Sequence, residues 1–278
     1  MNNQKVVIIT GASSGIGFSI AQALDKKYRL ILISKTESKL IKTYKKLKSD
    51  NLFYAFDISN NEDVESTYIS LNKEIHEIYA LINCSGFLGA IGKLATVSPE
   101  EFMTGVNVNL YGSYLMCYNT LKSYESRGLK KIINFSGGGA TGPFPRYSSY
   151  SCSKIALVKL TENMALEYPD IDINIIAPGF IKTDLAQQTL DAGRDKAGTF
   201  YDKTMDILNE GGQSISRVID LIQFLLSEKS HKISGKLISA QWDNWEDVNF
   251  QKRLRNEKDL CTLRRIDDRY FTAIPERE

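Results

Sequence analysis

The stretch "KVVIITGASSGIG", residues 5–17, decides the fold. Val6, Val7, Ile8 and Ile9 form an unbroken run of β-branched apolar residues closed by Thr10, a pattern that predicts a strand buried on both faces. Gly11, Gly15 and Gly17 follow at once, and the segment 15–27 has the length of a helix. Glycines in a strand-to-helix turn let the backbone approach a ligand closely, and the free N–H groups of the helix's first turn stabilise an anion there. The arrangement implies a dinucleotide whose pyrophosphate rests on the turn. A glycine cluster alone would also serve a merely tight turn; its place directly behind the first buried strand favours the nucleotide.

Six further apolar runs, "RLILIS", "LFYAFD", "YALINC", "KKIINF", "INIIAP" and "GKLISA", alternate with longer helical patterns such as residues 150–168. Seven near-continuous runs separated by crossover-length segments predict a doubly wound α/β (Rossmann) fold, a seven-stranded parallel sheet with helices on both faces. Residues 1–240 are read as one dinucleotide-binding and catalytic domain. Residues 241–278 are charged and lack a strand pattern, and are expected to be an extension acting as lid or oligomer contact.

With 278 residues, 42% of them hydrophobic, the chain can bury one large core. Its 35 basic and 33 acidic residues are scattered and leave a net charge of +2, so neither nucleic acid nor an anionic membrane surface is an expected partner. A small-molecule substrate is. Cys84, Cys117, Cys152 and Cys261 stand far apart with no CxxC pair, and His76 and His231 are the only histidines. Neither a disulfide framework, a metal site nor a Ser-His-Asp hydrolase is expected from that set. The N-terminal residues show no basic segment before a long apolar run, and no run approaches the roughly 18 apolar residues that span a bilayer. A cytoplasmic protein is expected.

Five motifs in order, "TGASSGIG" (10–17), "NCSG" (83–86), "NVNLYGSY" (107–114), "YSCSK" (150–154) and "PGFIKT" (178–183), resemble those of the short-chain dehydrogenase/reductase superfamily, in its short single-domain subgroup. The resemblance covers roughly residues 4–240. It implies that Thr10, Gly11, Ser13, Ser14, Gly15, Ile16 and Gly17 cradle the cofactor phosphates, and that Asp57 and Ile58 hold the adenine edge. It further implies that Asn83, Ser85 and Gly86 steady the cofactor-binding core, and that Pro178, Gly179, Ile181 and Thr183 border the nicotinamide. Taken alone, Asp57 would also read as a helix cap.

Cofactor choice turns on the end of the second strand, where Ser34 and Lys35 stand in place of a carboxylate. A carboxylate would bind the ribose 2′-hydroxyl and repel a 2′-phosphate, whereas a small residue followed by a base accommodates it, so NADP(H) is expected over NAD(H). The second basic residue usual inside the glycine turn is absent, with Ser14 in its place.

Tyr150 and Lys154 are four residues apart and share one helix face. A free phenol titrates near 10, and a neighbouring ammonium favours its phenolate, which suits Tyr150 as acid/base and Lys154 as its electrostatic partner. The resemblance adds Asn109 as part of a water-linked proton relay. It also exposes a departure: the family's serine, 13 residues before the tyrosine, is Gly137 here, with Ser136 one residue earlier. A one-residue shift on a strand turns a side chain to the other face, but Gly137, Gly138 and Gly139 permit a bulge that could bring the Ser136 hydroxyl or a glycine N–H to the substrate oxygen. The glycines could equally make room for a bulky ligand.

The reading is therefore an NADP(H)-dependent oxidoreductase that interconverts a polar carbonyl and a secondary alcohol, acting as a homodimer or homotetramer. The alternative is a weakly catalytic or inactive dinucleotide sensor. Residues 184–214, where the family carries its substrate lid, are polar, which disfavours steroid-like substrates. Tyr147, with no lysine four residues on, is assigned to the substrate rim. Arg146, Trp242 and Trp245 could clamp and stack an anionic or sugar-like ligand, or be surface charge and tail packing.

Overall fold

The structure, a computed structural model, describes residues 4–122 and 128–265. All seven predicted runs are strands: β1 Val6–Thr10, β2 Arg29–Ser34, β3 Leu52–Ala55, β4 Ala80–Asn83, β5 Lys131–Phe135, β6 Asp172–Ala177 and β7 Leu237–Ser239. They form one sheet in the order β3-β2-β1-β4-β5-β6-β7, and every neighbouring pair is parallel. The unbroken apolar runs follow from this topology. Val7 and Ile9 enter the core on one face of the sheet and Ile8 the core on the other, so neither face of β1 meets water.

Helices cover both faces: α1 Gly15–Leu24, α2 Glu37–Tyr44, α3 Asn61–Glu74, α4 Pro99–Val106, α5 Ser113–Leu121, α6 Ser148–Glu167, α7 Asp184–Ala197, α8 Thr199–Asn209, α9 Ile215–Leu225 and α10 Val248–Asn256. The sequence marks several of their starts. Ser98 caps α4 in a reciprocal capping box with Glu101, with Pro99 just inside, and Asn60 caps α3 through the N–H groups of Glu62 and Asp63. Between α4 and α5 the helix continues through a π-helical turn, Asn107–Gly112. No helix among the described residues is long and apolar enough to cross a membrane.

The strand order reverses direction between β1 and β4. A crevice opens at the carboxyl ends of the strands at such a point, and it is where open α/β sheets bind ligands.

The stretch after residue 240 packs on the body. Trp245 and Leu254 are buried in the same core cluster as β1, and Trp242 is exposed. The buried Lys236 ammonium donates to the carbonyls of Glu257, Lys258 and Leu260, while Glu162 binds the Leu263 N–H and the Arg264 guanidinium. Along the outer edge of β7, the Leu237 N–H donates to the Cys261 carbonyl at 2.7 Å and the Ser239 N–H to the Asp243 carboxylate at 2.7 Å.

Candidate active site

The crevice is a cleft of about 460 Å³. Its floor is the glycine turn. Gly11 and Gly15 have φ of +66° and +54°, and a Cβ on Gly17 would overlap the Gly11 carbonyl, 2.7 Å from its carbon. A Cβ on Gly11 would fall 2.9 Å from the Ser85 Cα. Only glycine fits these places, and the Ser14 side chain makes no capping bond to the first turn of α1, so the N–H groups there are free for a phosphate. Ser13, Ser14, Ile16, Ser85, Gly86, Pro178 and Thr183 border the same cleft. The residues present fit a dinucleotide.

At the end of the cleft beside β2 stand Ser34, Lys35, Asp57 and Ile58. Ser34 and Ser13 share a hydroxyl–hydroxyl hydrogen bond of 2.6 Å, and the Lys35 ammonium pairs with Asp57 at 2.9 Å. Asp57 also accepts from the N–H and hydroxyl of Ser59. Burial raises the Asp57 carboxyl, but these hydrogen bonds and the Lys35 charge outweigh it and hold the group below the usual carboxylate range.

At the other end Tyr150, Lys154 and Ser136 meet. Helix α6 places Tyr150 and Lys154 on its buried face, and the Lys154 ammonium, 2% exposed, donates to the Phe135 carbonyl at 2.8 Å. Burial pushes the Tyr150 phenol up, with Cys84 adding to it. Burial pulls the Lys154 ammonium down to about 8, against an opposing influence of Cys84. The Ser136 hydroxyl is buried and has no hydrogen-bond partner among the described residues. An orphaned hydroxyl costs about 1–3 kcal/mol, which a ligand could recover.

Gly137 has a physical reason. A Cβ there would overlap the Tyr150 hydroxyl and lie 2.7 Å from the ring Cζ, so the phenol occupies the space that a side chain at this position would need.

Five of the expected residues do not line the cleft. Thr10 accepts the Ser85 N–H and knits the ends of β1 and β4. Asn83 bridges to Asn134 at 2.9 Å, and Asn134 bonds Thr161 at 2.9 Å, a polar chain through the apolar core. The Asn109 side chain clamps both backbone groups of Phe87, accepting at 3.0 Å and donating at 2.6 Å. Gly179, at φ +83°, is packed under Gln213 and Gln241, and Ile181 rests against the main core.

The expectations for Tyr147 and the lid segment are corrected, and the alternatives for Arg146 and Trp245 are decided. Tyr147 is not at the rim: it is fully buried, stacked on Phe144 with ring centroids 4.3 Å apart, edge-on to Phe200, and hydrogen-bonded to Thr189. Arg146 is occupied by the carbonyls of Asp195 and Lys196 at the end of α7. Trp245 packs the tail to the body. The lid segment is polar only outside; Leu185, Phe200 and Tyr201 turn inward to the aromatic cluster around Tyr147 and Tyr150. Cys84, Phe87, Val108, Leu185 and Gln188 line the cleft without having been singled out from sequence. For Leu185 and Gln188 the signal was their i,i+3 spacing in a helix directly behind "PGFIKT".

A family model described as short chain dehydrogenase matches residues 5–193. The chain belongs to the short-chain dehydrogenase family. As such it is an NAD(P)-dependent oxidoreductase. This dehydrogenase is 30% identical over 186 residues to the 3-oxoacyl-[acyl-carrier-protein] reductase of Mus musculus, covering 66% of this chain and 78% of that protein. It is 28% identical over 242 residues to the 2-(R)-hydroxypropyl-CoM dehydrogenase of Xanthobacter autotrophicus, covering 83% and 94%. Its fold is that of actinorhodin polyketide ketoreductase, solved with NADPH, at a TM-score of 0.76 and 23% identity over 86% of this dehydrogenase and 96% of that chain.

Proposed function

We propose that this chain is an NADP(H)-dependent reductase or dehydrogenase of a polar ketone or secondary alcohol, with Tyr150 as its acid/base. The observation that carries the reading is Tyr150 and Lys154 buried together at the end of a cleft whose opposite floor is the glycine turn. When bound, the nicotinamide supplies the hydride for reduction or accepts it in oxidation. In reduction the Tyr150 hydroxyl gives its proton to the carbonyl oxygen, completing the alcohol. Lys154, fixed by the Phe135 carbonyl, offsets the negative charge left on the phenol and would hold ribose hydroxyls. Ser136 supplies the donor to the carbonyl oxygen, its hydroxyl being free, and Asn109 holds the Phe87 loop against the cleft.

Tyr150 is protonated at neutral pH, and Lys154 helps only while charged. Reduction is therefore expected to be flat below pH about 8 and to fall above it as Lys154, at about 8, loses its proton. A pH–rate profile of kcat/KM checks this; a reduction rate climbing through that pH contradicts the assignment.

Preference for NADP(H) rests on Lys35. It is 77% exposed, so its pairing with Asp57 is worth little and the ammonium is free to swing to a 2′-phosphate, with no carboxylate at the end of β2 to repel it. NADPH is expected to bind about tenfold more tightly than NADH, and Lys35→Ala to remove most of that difference, read by fluorescence titration. Equal affinities in the wild type would sink the preference.

Residues 1–240, with the packed stretch that follows, are proposed to work as one unit. Self-association as a homodimer or homotetramer is supported by an exposed ladder of stacked tyrosines, Tyr111, Tyr114 and Tyr118, along the π-turn and α5.

A further inference from the structure

The lid helix α7 is moored over the cleft at two adjacent residues. Thr189 accepts from the buried Tyr147 hydroxyl at 3.2 Å, and the Gln188 side-chain carbonyl accepts the Leu88 N–H at 3.0 Å. That second bond fixes which way the Gln188 amide points. Its oxygen is taken, Gln188 lines the cleft, and its NH₂ group has no hydrogen-bond partner among the described residues. The surrounding wall is otherwise apolar, weakly polar or already committed: Phe87, Val108 and Leu185 are apolar, the Cys84 thiol is a weak donor, the Thr104 hydroxyl donates to the Glu100 carbonyl, and the Asp184 carboxylate pairs with Lys39. Apart from the groups assigned to the cofactor and the chemistry, the described residues at this end of the cleft thus offer one oriented amide donor in a largely apolar wall. A donor in such a setting discriminates, because a ligand lacking the matching acceptor leaves it desolvated and unpaired.

We propose that Gln188 is a specificity-determining residue whose amide N–H donates to a second oxygen on the substrate, so that the enzyme selects ketones and secondary alcohols bearing such an acceptor over monofunctional ones. The proposal rests on the oxidoreductase reading of the same cleft. It names the substrate class that reading leaves open: a reacting carbonyl with an ester, thioester, carboxylate or hydroxyl oxygen nearby.

The test uses the full chain with NADPH and two ketones with the same reacting end, ethyl 3-oxobutanoate and 2-hexanone. Gln188→Glu keeps an oxygen to accept the Leu88 N–H and removes the donor, so it separates recognition from mooring. The ratio of kcat/KM for the keto ester to that for the simple ketone is expected to fall about tenfold or more relative to wild type, whatever common factor both lose through the lid. Gln188→Leu, which removes both bonds, is expected to lose the same ratio and to lower both rates further. An unchanged ratio in Gln188→Glu, with both ketones still reduced, overturns the proposal and leaves the oxidoreductase reading standing. Reduction of neither ketone by the wild type, with NADPH bound, overturns the proposal together with the polar-ketone reading, and reduction of 2-hexanone in preference to the keto ester overturns the proposal alone.

Discussion

Replacing Tyr150 with phenylalanine is expected to lower turnover about 10²- to 10⁴-fold while leaving cofactor affinity nearly unchanged. The substitution removes one hydroxyl. The ring stays packed in the cluster with Tyr147, Leu88 and Ala197, and the Lys154 ammonium stays on the Phe135 carbonyl, so neither the fold nor the glycine turn is disturbed. What is lost is the proton that the carbonyl oxygen must receive. Lys154→Ala should behave differently, harming turnover and cofactor affinity together, because the same ammonium is proposed to serve the phenol and the ribose. Steady-state rates on any ketone reduced by the wild type, beside a fluorescence titration with NADPH, separate the two. A Tyr150→Phe enzyme with near-normal rates would remove Tyr150 from the chemistry and assign the proton to another group.

Installing the family's serine is expected to damage this enzyme. In Gly137→Ser the new Cβ would meet the Tyr150 hydroxyl, the ring Cζ at 2.7 Å and Cε1 at 2.9 Å, so the whole ring must move, and it sits in a buried cluster with little room. A displacement of about 1 Å in a reacting group can cost about 10²-fold, and a loss of at least that size in kcat is expected. Ser136→Ala is the companion. If the free hydroxyl is the donor to the carbonyl oxygen, its removal lowers kcat about 10²- to 10³-fold with little change in cofactor affinity. A silent Ser136→Ala would shift the donor to a glycine N–H or a water. A Gly137→Ser enzyme about tenfold faster than wild type would show that a donor was simply missing and that the phenol yields its place.

The sheet was legible because parallel strands buried on both faces write themselves as continuous apolar runs, and each of the seven runs is a strand. The cofactor floor was legible too, since Gly11, Gly15 and Gly17 answer to backbone geometry that no other residue satisfies. What the sequence hid depends on neighbours distant along the chain. Tyr147 stands just before α6 and Tyr150 in its first turn, three residues apart, and nothing local says that the first is packed under Phe200 from the lid. Arg146 reads as a ligand clamp or as surface charge until the carbonyls that end α7 arrive beside it. Gly137 reads as a lost serine until the Tyr150 ring fills the space. The spacing of Gln188 could mark its place, but the sequence hid which half of its amide the Leu88 backbone consumes.

The charged stretch behind β7 bears on solubility. A strand at the border of a sheet exposes a row of unpaired N–H and C=O groups that can recruit a strand from another molecule. Here Cys261 and Asp243 take the outward N–H groups of Leu237 and Ser239, and Lys236 pins the covering segment from beneath. Cutting the chain after α10 would leave the glycine turn, Tyr150 and the Asp243 cover of Ser239 untouched, yet it would free the outward N–H of Leu237 and strand a buried ammonium without its acceptors. Such a shortened protein would keep its chemistry on paper and lose it to aggregation, which makes these terminal residues guardians of the molecule's surface rather than an ornament to the catalytic domain.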